Sequence, residues 1–176
     1  TWAVLRHRAN GVDWFRSIWF KGAIPRHAFN MWTANLDRLP TKARLSIWGM
    51  TIDTVCGLYS LHQECRDHLF LSCEFAQFIW HEVSLRLHLP HLSFTLWADL
   101  LDWIRTKHNS SPPTLRKLVA QSVVYHIWKQ RNNLLHNQVY ILPSLIFRDI
   151  DREMKNTITA RRLNKRFRNL MRLWMR

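Results

Sequence analysis

In nearly every segment of this chain, large apolar side chains return at i, i+3 and i+7, the period of one face of an α-helix. "VDWFRSIWF" sets Trp14 and Ile18 one turn apart, with further aromatics at helical spacing. Pro25 suits a first helical position and opens "PRHAFNMWTANLDR", with Phe29, Trp32 and Leu36 in step. Leu39-Pro40 ends that run. Thr41 then caps "TKARLSIWGM", which places Leu45 and Trp48 on one face and ends at Gly49. "CEFAQFIWHEVSLRL" carries a stripe of Phe75, Phe78, Ile79, Val83 and Leu87, and Ser93 is the expected cap of "FTLWADLLDWIRTKH". The clearest loop is "NSSPP" at 109–113. Beyond it, "TLRKLVAQSVVYHIWKQRNNLLHN" predicts a long helix with Leu118, Val119, Ser122, Tyr125 or His126, and Lys129 on successive turns. Pro143 and Ser144 begin a last helix running toward Arg176. Ten tryptophans against four glycines favour a core of large side chains on helices over a turn-rich β-sandwich. The fold expected is mainly α: a compact multi-helix domain with a short knuckle-like segment, at most a hairpin near Cys56, and a long basic C-terminal helix. Residues 1–108 form one region, 109–113 a loop, and 114–176 a helical extension.

All three cysteines fall within 18 residues, in "CGLYSLHQECRDHLFLSC" at 56–73, which also holds His62 and His68. His68 stands five positions before Cys73, which is half of a metal knuckle. The partner expected beside Cys56 is Tyr59, a residue that does not hold zinc. Three clustered cysteines make no disulfide framework, and an intracellular, reducing compartment, nuclear or cytoplasmic, is expected. The N-terminus lacks an initiating Met and reads as the middle of a longer chain. No apolar run approaches the roughly 20 residues that span a bilayer.

Lys and Arg number 26 against 12 Asp and Glu, a formal net charge of +14. Such a balance implies an anionic partner, nucleic acid above all. The charge is densest at the end: Arg161, Arg162, Lys165, Arg166, Arg168, Arg172 and Arg176 occur without an acid. On a helix, Leu163, Phe167, Leu170 and Trp174 would share the face docked on the domain and leave those cations to solvent. A membrane surface or a partner groove fits the same pattern, as does plain packing. Catalysis has no support: there is no nucleophile elbow, no phosphate loop, no His-Glu-x-x-His pair and no clustered Asp pair for two-metal phosphoryl transfer. No small-molecule substrate is expected.

One composite of motifs is specific. Trp19-Phe20, Pro25-Arg26-His27-Ala28-Phe29, Trp32, Arg38-Leu39-Pro40-Thr41-Lys42, Trp48-Gly49, Cys56, His68-Leu69-Phe70, Cys73 and Trp80 together resemble the zinc-binding reverse-transcriptase domain (zf-RVT) at the C-terminal end of plant LINE-type (non-LTR) retrotransposon polyproteins. "VVYHIWKQRNNLLHN" and "ARRLNKRFRNLMRLWMR" resemble its downstream extension more weakly. The resemblance implies a non-catalytic module that follows a polymerase domain and binds RNA or DNA through the phosphate backbone. It also implies a zinc site at Cys56, Tyr59, His68 and Cys73, of which Tyr59 departs from the family's cysteine. Cys65, three residues before His68, is the favoured fourth ligand by helical spacing, and His62 is the alternative. The competing readings are cysteines that simply pack beside Phe70 and Phe75, a helical protein-interaction domain without zinc, and a relic with no retained function.

Overall fold

The computed structural model describes residues 13–59, 62–106 and 111–175. It is mainly helical, as the spacing predicts, with no strand among the described residues. The helices are α1 (Phe15–Ile18), α2 (Pro25–Asn35), α3 (Lys42–Ile47), α4 (Glu74–Leu87), α5 (Trp97–Arg105), α6 (Pro113–Asn137), α7 (Pro143–Ala160) and α8 (Leu170–Trp174). A π turn, His68–Ser72, leads into α4.

The long helix α6 is the axis of the fold. α1, α2, α4, α5, α7 and the π turn all pack on it. Its buried residues run from Leu115 through Val119, Val123 and Ile127 to Arg131 and lie around most of its circumference, as a helix enclosed by others requires. Even an arginine is enclosed. Arg116 donates to the carbonyls of Trp103 and Thr106, the open C-terminal end of α5, where a cation meets the negative end of the helix dipole.

Helix starts follow the chain chemistry. Pro25, Pro113 and Pro143 occupy first positions, where the missing N–H costs nothing. Thr41 caps α3 by accepting from the Arg44 N–H. Ser93 does not cap α5. The helix opens at Trp97, and the Asp99 carboxylate reaches back to accept from the N–H groups of Thr95 and Leu96. Two expected faces also shift. Phe29 is 58% exposed, while α2 buries His27, Ala28, Met31 and Ala34. α3 buries none of its residues; it is held by polar anchors at its N-terminus, and Trp48 faces solvent.

The largest departure is at the C-terminus. The expected long basic helix ends at Ala160; residues 161–169 form turns, and α8 resumes for only five residues. Arg161 and Lys165, and Arg162 and Arg166, would be like-charged i, i+4 neighbours with no acid to separate them, which disfavours a continuous helix. Phe167, Leu170 and Trp174 are buried as expected, but Leu163, set on a turn, is 92% exposed.

Candidate metal centre

The segment between α3 and α4 is shaped by a few backbone bonds. Val55 and Gln63 form an isolated antiparallel bridge, the short hairpin expected near Cys56. The Cys56 N–H donates to the His62 carbonyl (2.8 Å), and the Glu64 N–H to that of Thr54 (2.8 Å). The chain then enters the π turn, where the Cys73 N–H donates to the His68 carbonyl at 2.7 Å. An i→i+5 bond stacks residues five apart on one side, which a regular α-helix does not do. The His-x4-Cys spacing is therefore π-turn spacing. The indole N–H of Trp80 donates to the Phe70 carbonyl (2.8 Å), and Leu69, Phe70 and Leu71, the middle of the turn, are buried.

This framework brings Cys56, His68 and Cys73 together, each buried, with ligand atoms all within 4.8 Å of one another. The two thiol sulfurs are 4.0 Å apart, and all three cysteines are free thiols. Cys73 hydrogen-bonds to Cys56 and holds the Cys56 thiol well below its usual range; burial opposes this, and the His68 ring and the N–H groups of Tyr59 and Leu58 reinforce it. Cys73 is driven the other way, by its bond to Cys56, by burial and by the Cys56 charge, although the N–H groups of Phe75 and Ala76 at the start of α4 favour its thiolate. The two sulfurs are in contact, and either thiol can be the donor to the other. Nε2 of His68 is buried with no hydrogen-bond partner. A divalent cation would use both sulfurs as thiolates, displacing their protons, together with the imidazole, so the residues present fit zinc.

The two expected fourth ligands occupy different places. Cys65 is outside the group. Its exposed sulfur accepts from the His68 N–H (3.4 Å), and its side chain lines a separate cavity with Thr41, Ile47 and Arg66. The His62 ring lies against the His68 ring, centroids 5.4 Å apart. Tyr59 is exposed, and the nearby Glu74 carboxylate raises its pKa.

One residue of this segment escaped the sequence reading. Glu64 is 1% exposed, and its Oε1 accepts from Arg131 Nη2 (2.7 Å), Arg131 Nε (3.0 Å) and the Lys42 N–H (2.9 Å). Arg131 also reaches the Pro40 carbonyl and stacks on Trp128. The pair ties the knuckle and α3 to the middle of the fold. A partner 67 positions away leaves no local spacing to detect.

Of the basic tail, Arg162, Lys165, Arg166, Arg168 and Arg172 are exposed, and none forms an ion pair among the described residues. Arg161 is half-buried over the Phe167 ring, and Arg176 lies outside the described residues. The tail folds back on the start of the domain. Gly22, at φ +100°, leaves room for Phe167; a Cβ there would meet the ring at 2.6 Å. Lys117 Nζ donates to the Arg16 carbonyl (2.7 Å), and burial followed by the nearby Arg166 charge lowers its pKa. Lys117, with no positional signal in the sequence, thus joins the basic surface.

No curated protein and no solved structure matches this chain. Residues 1–80 match the family model zf-RVT, described as zinc-binding in reverse transcriptase. The matched stretch includes Cys56, His68 and Cys73 and stops well short of the basic tail. By sequence, then, the part of the chain that gathers the cysteine–histidine group is similar to the zinc-binding domain associated with reverse transcriptases.

Proposed function

We propose that this chain is a non-catalytic, zinc-stabilised module that holds nucleic acid for a reverse transcriptase, in the manner of the LINE-type plant polyproteins it resembles. Zinc bound through Cys56, His68 and Cys73 would fix the knuckle against α4. The observation that carries the reading is that group: two thiols and an imidazole, gathered within 4.8 Å in the segment that matches the zinc-binding family. The basic tail supplies the second half. Arg162, Lys165, Arg166, Arg168 and Arg172, with Lys117 beside them, form a cationic surface that pairs with no acid among the described residues. Repulsion within such a cluster destabilises the fold, and a phosphate backbone would relieve it. Phosphate contacts position a protein without reading bases, so the RNA or DNA bound is expected to be of any sequence. A reducing compartment, cytoplasm or nucleus, keeps the thiols available, and an upstream polymerase domain is the expected neighbour.

The test is binding to unrelated oligonucleotides across a salt series. Affinity should fall steeply with salt. Replacing Arg166, Arg168 and Arg172 by Gln should weaken all sequences alike and flatten the salt slope by about one unit per residue. Salt-independent binding, or affinity unchanged in the triple variant, would overturn the nucleic-acid half. Loss of that half would favour a helical protein-interaction domain, for which the exposed face of α3 and its C-terminus speaks: Ile47 is 81% exposed, with Trp48 and Met50 beside it in sequence.

A further inference from the structure

We infer that His62 supplies the fourth zinc ligand of this chain, in place of the family cysteine that Tyr59 has replaced. The inference rests on the zinc reading above. A structural zinc site is closed by four N or S ligands, and Cys56, His68 and Cys73 provide three. Three side chains stand near enough in sequence to complete it, and the structure separates them.

Tyr59 is exposed and outside the group, and a neutral phenol is a poor zinc ligand. The Cys65 sulfur lies outside the group and accepts from the His68 N–H, at the start of the turn that carries His68 into it. Its side chain faces the cavity beside α3. His62 has neither obstacle. Its carbonyl accepts from the Cys56 N–H, which fixes its main chain beside one ligand. Its ring lies beside another, 5.4 Å from that of His68 and inclined at 63°. With zinc–nitrogen bonds of about 2.0–2.1 Å and tetrahedral angles, two imidazoles on one ion hold their ring centroids about 5 Å apart. The two rings already have the separation that a shared ion imposes. Their nitrogens are not yet convergent, because His62 is outside the group within 4.8 Å. The His62 ring is exposed, so turning it toward the group displaces no core side chain.

The site is then two thiolates and two imidazoles, with ligand order Cys56, His62, His68, Cys73. The family arrangement has three thiolates and one imidazole. Cobalt(II) distinguishes these, because its thiolate charge-transfer intensity scales with the number of sulfur ligands. The intact chain should give the two-thiolate intensity, unchanged in Cys65→Ser. His62→Ala should weaken zinc affinity at least about 10–100-fold, the loss that even an outer-sphere partner causes. His62→Cys guards against a merely misfolded variant: it should retain the metal and raise the charge-transfer intensity about 1.5-fold, from two sulfurs to three. Full affinity in His62→Ala, or loss of intensity in Cys65→Ser, would overturn the assignment of His62 and leave the zinc reading standing. A wild-type chain that takes up neither cobalt nor zinc would overturn both.

Discussion

Two buried polar centres lie within one short segment and are built on opposite principles. At Glu64 the carboxylate is met by Arg131 and by the Lys42 N–H, and the guanidinium has Asn132 and Pro40 besides. Every charge there has its partner within the chain. On either side of it in the sequence, at Cys56, His68 and Cys73, two buried thiols face each other and Nε2 of the imidazole has no hydrogen-bond partner. Burying polar groups costs free energy unless they are satisfied, and native structures keep few exceptions. The first centre explains itself as architecture. The second becomes intelligible with a cation, because two thiols and an imidazole converge there within 4.8 Å.

The comparison can be broken from the architectural side first, where the effect is largest. Arg131→Met should cost about 3–5 kcal/mol in unfolding free energy, because it leaves Glu64 buried and uncompensated. Adding Glu64→Leu in the same chain should recover part of that loss, since no orphan charge then remains. A cost below about 1 kcal/mol by denaturant titration would mean that the pair is not the tie between knuckle and α6.

A smaller effect comes from a third polar cluster, under α2 and α7. Glu153 accepts from Arg26 (2.8 Å) and Ser122 (3.3 Å) and bonds His126 Nε2 (2.7 Å), with His27 Nε2 at 3.2 Å. Burial pushes its pKa up, but bonds from His126, His27 and Arg26 outweigh burial and hold it well below the usual carboxylate range. Burial holds His27 below its ordinary value, with Glu153 only partly opposing. Both groups are depressed in the fold, so each stabilises at higher pH. The His27 contribution should fade as pH drops below about 6.5, when the unfolded chain takes up the proton, and that of Glu153 below about 4.3. Thermal unfolding followed from pH 7 to 4 should show stability falling over this range, with the first part of the fall absent in His27→Gln. A profile identical in that variant would contradict the role given to His27.

How much of this was legible in the chain depends on range. Helix positions were readable because capping and spacing are local: Pro25, Thr41 and Pro143 start helices where expected. Cys56, His68 and Cys73 were readable through the family resemblance, with spacing alone marking His68 and Cys73, although the π turn that makes the spacing work was not. What failed were features decided by neighbours distant in sequence. Phe29 sits at a periodic position yet faces water, because the packing against α6 selects Ala28 and Met31. The tail reads as a helix until its own charge density is weighed, and Leu163 was lost with it. Glu64 and Lys117 are ordinary letters until Arg131 and Arg166 are placed beside them.

The central claim is that the open centre holds zinc, and the most direct measurement is metal content with thermal stability on the same preparation. The protein should be purified under reducing conditions without added metal and divided, one portion treated with a strong chelator. The account predicts one zinc per chain in the untreated portion and a lower Tm after chelation, restored by stoichiometric zinc, because a ligand bound by the folded state alone stabilises it. In Cys73→Ser the metal and the chelator response should disappear together. A protein that carries no zinc, takes none up, and melts at the same temperature with and without chelator would contradict it.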